Sequence, residues 1–336
     1  MKILPVGKLD PDLFRYLLNK YAFSDERVVV GAEFGEDAAV IDMGDRYLVA
    51  KSDPITFATD LIGWYAVNVN ANDVASMGAR PKWMLCTLLL PEGKTTPELA
   101  ESLFAQIAQA AKSLGISLIG GHTEVTYGLD RPIVVGHMLG EVSKEKLVTS
   151  SGARPGDDII LVKGIPIEGT SIIAREKGEE LRRRGYAEDF IERAKNYLFN
   201  PGISVVEAAL LAVDTVPLHS MHDPTEGGLA MGLYEVAEAS KVGFVIEEEA
   251  IEVLPEGQIL CREFGLDPMG TIASGALIIT LAPENTQALL EAFRKRGIKS
   301  SVIGRVLPIE DGRWVRKGGE LKPMAIFPQD EITKIF

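Results

Sequence analysis

Two cysteines in 336 residues are too few for a disulfide framework. Cys86 and Cys261 stand apart rather than in a CxxC pair, which points to a reducing compartment and excludes a small stapled secreted domain. Both thiols are expected in the core. Long apolar runs are missing too: the stretch from Met84 to Leu90 is far short of a bilayer span, and the opening MKILPVGKLDPDLF has neither an apolar h-region nor a cleavage site. A cytoplasmic protein that neither enters a membrane nor is exported is expected. Positive charge is in deficit, with 35 Lys+Arg against 48 Asp+Glu and a net charge of −13. Such a body repels phosphate at long range, which argues against nucleic acid and anionic lipid as partners. A polyphosphate ligand would need a metal bridge. Histidine is scarce, and although His219 and His222 are three apart, no further His or Cys at fixed spacing completes a zinc site.

What is present is ordinary for a folded chain: 46% hydrophobic and 25% charged residues, no low-complexity tract, and a length that suggests two domains with full cores. Short β-branched or Leu-rich runs bounded by turn residues predict strands at Val28–Val30, Ala38–Ile41, Tyr47–Ala50, Met84–Leu90, Ile116–Ile119 and Ile133–Met138. A helix should start after Thr96-Pro97 and bury Leu99, Leu103, Ile107, Ala111 and Leu114. The polar turn around Ser150 to Asp157 sets a boundary, giving domains 1–154 and 155–336. Beyond it lie a strand at Asp158–Val162, a mixed helical stretch from Thr170 to Val213, a helix from about Thr225 to Ser240, strands near Phe244 and Ala276–Leu281, and a helix around Asn285–Arg296. Helices and strands interleave without strict alternation, so the class is α+β.

Acidic residues recur at predicted strand ends, in Gly35-Glu36-Asp37, Lys51-Ser52-Asp53 and Asn72-Asp73. Carboxylates gathered without nearby bases suit Mg²⁺, a hard ion that bridges to phosphates, while each one alone could be a turn or cap residue. The otherwise apolar helix Leu61–Met77 carries Asn68, Asn70, Asn72 and Asp73, which need partners when buried. At roughly 100° per residue, Asn68 and Asn72 share one side and Asn70 and Asp73 another. One pair is expected to brace a neighbouring strand or subunit, with the Asn72-Asp73 end facing the metal. Ile119-Gly120-Gly121-His122-Thr123-Glu124 reads as a strand running into a glycine turn with donors and a base or ligand, or as a loop with a plain histidine. Lys163 to Ser171 nearly matches the spacing of a phosphate loop, but Thr170 stands where lysine is required, leaving only backbone amides at a helix start to hold an anion. Asp223 opens a helix with Gly227-Gly228 and could be a ligand or its cap.

The order of the motifs is more specific than any one of them. GEDAAVID, KSDPITF, NANDVASMGARP, GGHTEVT, PGDDIILVKG and MHDPTEGG, over about residues 30 to 310, resemble the superfamily of aminoimidazole ribonucleotide (AIR) synthase, selenophosphate synthetase, thiamine-monophosphate kinase and the hydrogenase maturation factor HypE. The HypE-like, AIR-synthase-related group has the most similar pattern. The resemblance implies two AIR-synthase-like α+β domains, the N-terminal sheets of two subunits closing a barrel across a homodimer, with ATP and Mg²⁺ as cofactors. It matches Asp37, Asp53, Asp73 and Asp223 to metal ligands, and Asp53, Asp73, His122 and Glu124 to catalytic positions. Lys51, Gly121, His122, Thr123, Gly164, Gly169 and Thr170 become the nucleotide contacts.

The activity so implied is ATP-dependent phosphorylation or activation of an amide or other small acceptor, of carbamoyl type in HypE, alongside a maturation partner protein. HypE carries its carbamoyl group on a C-terminal cysteine, whereas the last residues here are Glu331-Ile332-Thr333-Lys334-Ile335-Phe336, so cyanide-ligand synthesis is not expected. Two alternatives stay open: a nucleotide-binding accessory factor in hydrogenase maturation or regulation, and a metal-dependent phosphatase.

Overall fold

The computed structural model of the chain describes residues 4, 9–22, 25–32, 35–55, 58 and 60–336. Thr56 and Phe57 of KSDPITF and most of the first eight residues lie outside them. Two compact units emerge. One comprises residues 26–31 and 37–147; the other comprises residues 148–336 together with 32–36 and the segment that precedes residue 26. Helix α1 (Pro11–Tyr21), capped by the Asp10 carboxylate, therefore belongs with the later residues, to which Arg15 is tied by an ion pair with Glu238 (3.3 Å).

In the first unit the strands are β1 (Val28–Val30), β2 (Ala39–Asp42), β3 (Tyr47–Ile55), β4 (Arg80–Pro91), β5 (Ser117–Thr126) and β6 (Ile133–Val142). They form one sheet in the order β1-β2-β3-β6-β4-β5, antiparallel except for the β4–β5 pair. Helix α2 (Ile62–Ser76) lies across β3, β6 and β4, and α3 (Pro97–Ser113) packs on α2. That layering explains why α2 has apolar residues all round: one side meets the sheet and the other meets Leu103, Ile107 and Ala110 of α3. Gly63 makes the crossing close, since a Cβ there would sit 2.9 Å from Ile107. Thr96 caps α3 as its sequence predicts. Strand β6 alternates between half-buried and buried residues, and on its buried face Gly136 and Gly140 leave room for Asn70 and Val74 of α2.

The second unit has strands β7 (Asp158–Val162), β8 (Ser220–His222), β9 (Gly243–Glu247), β10 (Leu277–Leu281), β11 (Ser300–Leu307), β12 (Arg313–Lys317) and β13 (Glu320–Pro323). Their order is β13-β12-β9-β11-β7-β10-β8, with only β12–β9 parallel among the named pairs. Its helices are α4 (Ile167–Glu176), α5 (Gly178–Arg183), α6 (Glu188–Lys195), α7 (Val206–Thr215), α8 (Gly228–Ser240), α9 (Pro255–Phe264) and α10 (Pro283–Lys295). The core joins Ile159, Leu161, Phe244, Ile246, Ile278 and Ile303 of the sheet to Leu229, Leu233 and Val236 of α8. Each such side chain, fully buried, contributes about 1.5–3 kcal/mol. Mostly antiparallel sheets with helices laid on them make the class α+β, as the sequence predicts. Among the described residues no helix is long and apolar enough to cross a membrane.

Three predicted elements differ in extent from the observed ones. Strands β3 and β5 run on through Lys51-Ser52-Asp53 and through Gly120-Gly121-His122-Thr123-Glu124, so neither segment is a loop. The helix expected from about Thr225 begins at Gly228, because Gly227 takes a left-handed conformation (φ 80°) in front of it.

Candidate active site

In the first unit, β3 and α2 bring together three of the predicted acidic residues or their partners. Lys51 and Asp53 lie two apart on β3, so both side chains leave the same face, and Lys51 Nζ reaches Asp53 (3.3 Å) and Asp73 of α2 (3.4 Å). Asp37, just before β2, is buried, as is Asp73, and ligand oxygens of these two carboxylates lie within 4.8 Å of each other. Three carboxylates therefore share the surroundings of one ammonium group. Burying that surplus negative charge is costly unless a cation joins it, and the all-oxygen donor set suits a hard divalent ion.

Asn70 fixes the strand to the helix. Its amide oxygen accepts the Asp53 N–H (2.9 Å), and its nitrogen donates to Asp53 O (3.2 Å) and Ala66 O (2.8 Å). Gly136 of β6 is what admits it, since a Cβ there would lie 2.3 Å from the Asn70 nitrogen. Asn70 and Asp73 thus share the face toward β3, as the helical spacing predicts. Asn70 is the brace and Asp73 the carboxylate of that pair, whereas Asn68 donates within its own helix to Trp64 O (2.9 Å).

The Gly120-Gly121-His122-Thr123-Glu124 segment has a different character. It is a well-exposed edge strand, and the missing Cβ of Gly121 (φ 145°) admits the neighbouring strand rather than a turn: a Cβ there would sit 1.9 Å from Cys86 O of β4. His122 and Glu124 leave one face and hydrogen-bond to each other (3.1 Å), while Thr123 leaves the opposite face.

In the second unit, Asp223 is buried just beyond β8. It does not cap α8; Gly227 occupies the cap position, and its N–H donates to Asp330 (2.6 Å). His219 and His222 turn to different carboxylates, Asp157 (2.8 Å) and Glu235 (3.0 Å). Gly164 (φ 131°) passes close to Glu252 O, which a Cβ would meet at 2.7 Å. At Gly169 a Cβ would meet Thr271 at 2.5 Å, and Thr170 is fully buried with its hydroxyl donating to Pro166 O. Gly169 thus serves the packing of α4 against Thr271 and Ile272, and Gly164 the close pass of the chain beside Glu252.

Sequence reasoning missed two charged residues in that same segment. Lys163, with positive φ (70°), donates its ammonium to Gly202 O (2.8 Å) and Ser204 O (2.6 Å), and burial pulls its pKa down to about 8. Glu168 is buried on α4, and one carboxyl oxygen has no hydrogen-bond partner among the described residues. Loss of solvation pushes its pKa up to about 8; a bond to Ser274 opposes the shift, and the carboxylates of Glu226, Asp330 and Asp223 reinforce it. A lone acid in the apolar run Gly164-Ile165-Pro166-Ile167-Glu168 was the available signal. Both cysteines are buried as expected, which pushes Cys86 to about 11 and Cys261 to about 12.

Residues 35–142 match the N-terminal domain of AIR synthase related proteins and residues 154–314 match the C-terminal domain. The chain belongs to this family. It is 32% identical over 306 residues to a candidate hydrogenase expression/formation protein of Methanocaldococcus jannaschii, covering 89% of this chain and 88% of that one. It is also 32% identical over 290 residues to the carbamoyl dehydratase HypE of Cupriavidus necator (83% and 78%). Among solved structures, the hydrogenase maturation protein HypE in complex with ATP is similar at a TM-score of 0.73 and 25% identity, covering 88% of this chain and 89% of that one.

Proposed function

We propose that this protein binds ATP with Mg²⁺ and uses it to phosphorylate, and so activate, an oxygen of a small acceptor of amide or carbamoyl type. The observation that carries the reading is the Asp37, Lys51, Asp53 and Asp73 group at β2, β3 and α2, in a chain 32% identical to a carbamoyl dehydratase. Asp37, Asp53 and Asp73 would hold the cation, with Asp223 joining them through its place in the His222-Asp223-Pro224-Thr225-Glu226-Gly227-Gly228 motif. Bound there, Mg²⁺ would neutralise charge developing on the phosphates. Asn70 keeps Asp53 in place from behind, and Lys51 is poised to exchange a carboxylate partner for a phosphate oxygen. His122 and Glu124, hydrogen-bonded to each other, can pass a proton to or from the acceptor. In the transfer, the γ-phosphoryl group bonds to the acceptor oxygen as its bond to ADP breaks; an amide oxygen so esterified can then leave as phosphate.

The same reading includes a homodimer and a maturation partner protein. Support for the dimer comes from β5, whose outer edge pairs with no other strand among the described residues and which exposes Leu118, Ile119 and Val125, an arrangement that invites strand pairing with a second copy. For the partner protein the support is the similarity to a hydrogenase expression/formation protein, whose name ties it to the making of another protein.

Asp53→Asn and Asp73→Asn test the site. Each is expected to abolish Mg²⁺-dependent ATP turnover and the rise in thermal midpoint that MgATP gives, while circular dichroism stays native. Wild-type hydrolysis by either variant would overturn the assignment.

A further inference from the structure

The segment that follows β13 takes no part in the chemistry above, yet it is built into the second unit. Met324 N–H donates to Arg313 O (3.1 Å), and the Phe327 ring lies against Gly270, where a Cβ would be 2.3 Å from it. Ile332 is fully buried, and Glu331 accepts the Asp267 N–H (2.9 Å) while pairing with Lys334. Between them, the buried Asp330 carboxylate accepts three amides: Gly227 (2.6 Å) on one oxygen, Ile272 (3.2 Å) and Ile332 (2.8 Å) on the other.

These three amides come from three stretches of chain. Gly227 sits at the cap of α8, and its own N–H, which a Glu or Gln in the first helical turn accepts in a capping box, is taken instead by a residue 103 positions away. Gly228 (φ 64°) is pressed against the loop that carries Ile272; a Cβ on it would meet Met269 O at 2.5 Å and Thr271 O at 2.7 Å. Gly228 N–H and Ala273 N–H both donate to Thr225 O (3.0 and 3.3 Å). The turn 225–228 and the loop 269–273 are therefore joined at backbone level, and the Asp330 carboxylate takes one amide from each.

We propose that Asp330 is a positioning residue that holds the Gly227-Gly228 turn against the 269–273 loop, and thereby sets the path of the chain from Asp223 into α8. The step to nucleotide binding rests on the reading of Asp223 given above. A carboxylate is suited to the task because it offers acceptors only. In Asp330→Asn an amide NH₂ would replace one oxygen and face an N–H donor, so the clamp fails on one side without any change of shape.

Hydrogen exchange without nucleotide reads the clamp itself. In Asp330→Asn, amides in 223–228 and 270–273 are expected to lose protection, while those of β3 and α2 keep theirs. Calorimetric titration with MgATP reads the consequence, about tenfold weaker binding from the loss of one charge-assisted hydrogen bond. Asp330→Glu should recover part of it. Ile332→Ala is the control for plain destabilisation, since it loosens the same segment but keeps the carboxylate; a lowered midpoint with unchanged MgATP affinity is expected. Unchanged protection in Asp330→Asn, or weakening by Ile332→Ala equal to that by Asp330→Asn, would overturn the proposal. Failure of the wild-type chain to bind MgATP would instead overturn the functional reading and with it the step to nucleotide binding, and the exchange measurement would still decide whether Asp330 holds the turn.

Discussion

Replacing Glu168 with glutamine should raise stability, and the gain should grow with pH. The carboxyl is buried and its pKa is pushed up to about 8, from 4.5 in the unfolded chain, mainly by lost solvation. A group whose folded pKa is raised stabilises the fold fully below the unfolded value and withdraws that support as pH climbs toward the folded value. Between pH 5.5 and 8 the unfolded chain has released this proton while the folded chain keeps most of it. At 1.36 kcal/mol per unit, that interval removes about 3 kcal/mol from the wild type. The amide introduced by Glu168→Gln cannot ionise and lacks this loss. The assay is thermal unfolding of both proteins in EDTA at pH 5.5, 7 and 8, with EDTA keeping cations from the nearby Asp223. The variant's midpoint should pull ahead by about 5–10 °C across the series. Midpoints that run parallel at all three pH values would show that Glu168 ionises in the fold as freely as in water, and the burial argument would fail.

Gly121→Ala should cost about 2–4 kcal/mol in urea unfolding, because its Cβ would sit 1.9 Å from Cys86 O and the β4–β5 pair must part to admit it; wild-type stability would refute this account of the double glycine. Val125→Lys, at an exposed position of β5, should shift the protein from dimer to monomer in light scattering at micromolar concentration; an unchanged mass would remove β5 from the interface.

The strands most legible in the sequence were those whose residues alone declare them. The runs at Val28, Tyr47, Ile133 and Asp158 begin β1, β3, β6 and β7 at those residues, and the Thr96-Pro97 signal marks the start of α3. Continuations were hidden. Gly120-Gly121 resembles a turn because nothing local reveals that the β4 backbone fills the space where a side chain at Gly121 would be. Lys51 and Asp53 look like loop residues because the strand that pairs with them, β6, and the helix residue that braces Asp53, Asn70, both come later in the chain. The need of Asn68 and Asn70 for partners was readable from their apolar neighbours, whereas the identity of the partners was not. Strands β8 and β11 to β13 escaped notice, as did the burial of Glu168 and the three amides held by Asp330. The environment of Glu168 is made by Glu226, Ser274 and Asp330, residues far along the chain that meet only in the folded unit. The acidic residues at strand ends and the need for a brace were legible; that Asn70 braces Asp53 was not, because the two lie on separate elements.

The ion pair between Arg15 and Glu238 has a bearing on biosynthesis. A ribosome adding roughly 5–20 residues per second would release helix α1 many seconds before its partner exists. Residues 37–147 could meanwhile close on themselves, because their sheet and both of their helices are already complete. Nascent α1 must wait until Glu238 is made before Arg15 can pair with it, so a premature stop between the two would leave the helix made and that ion pair unformed.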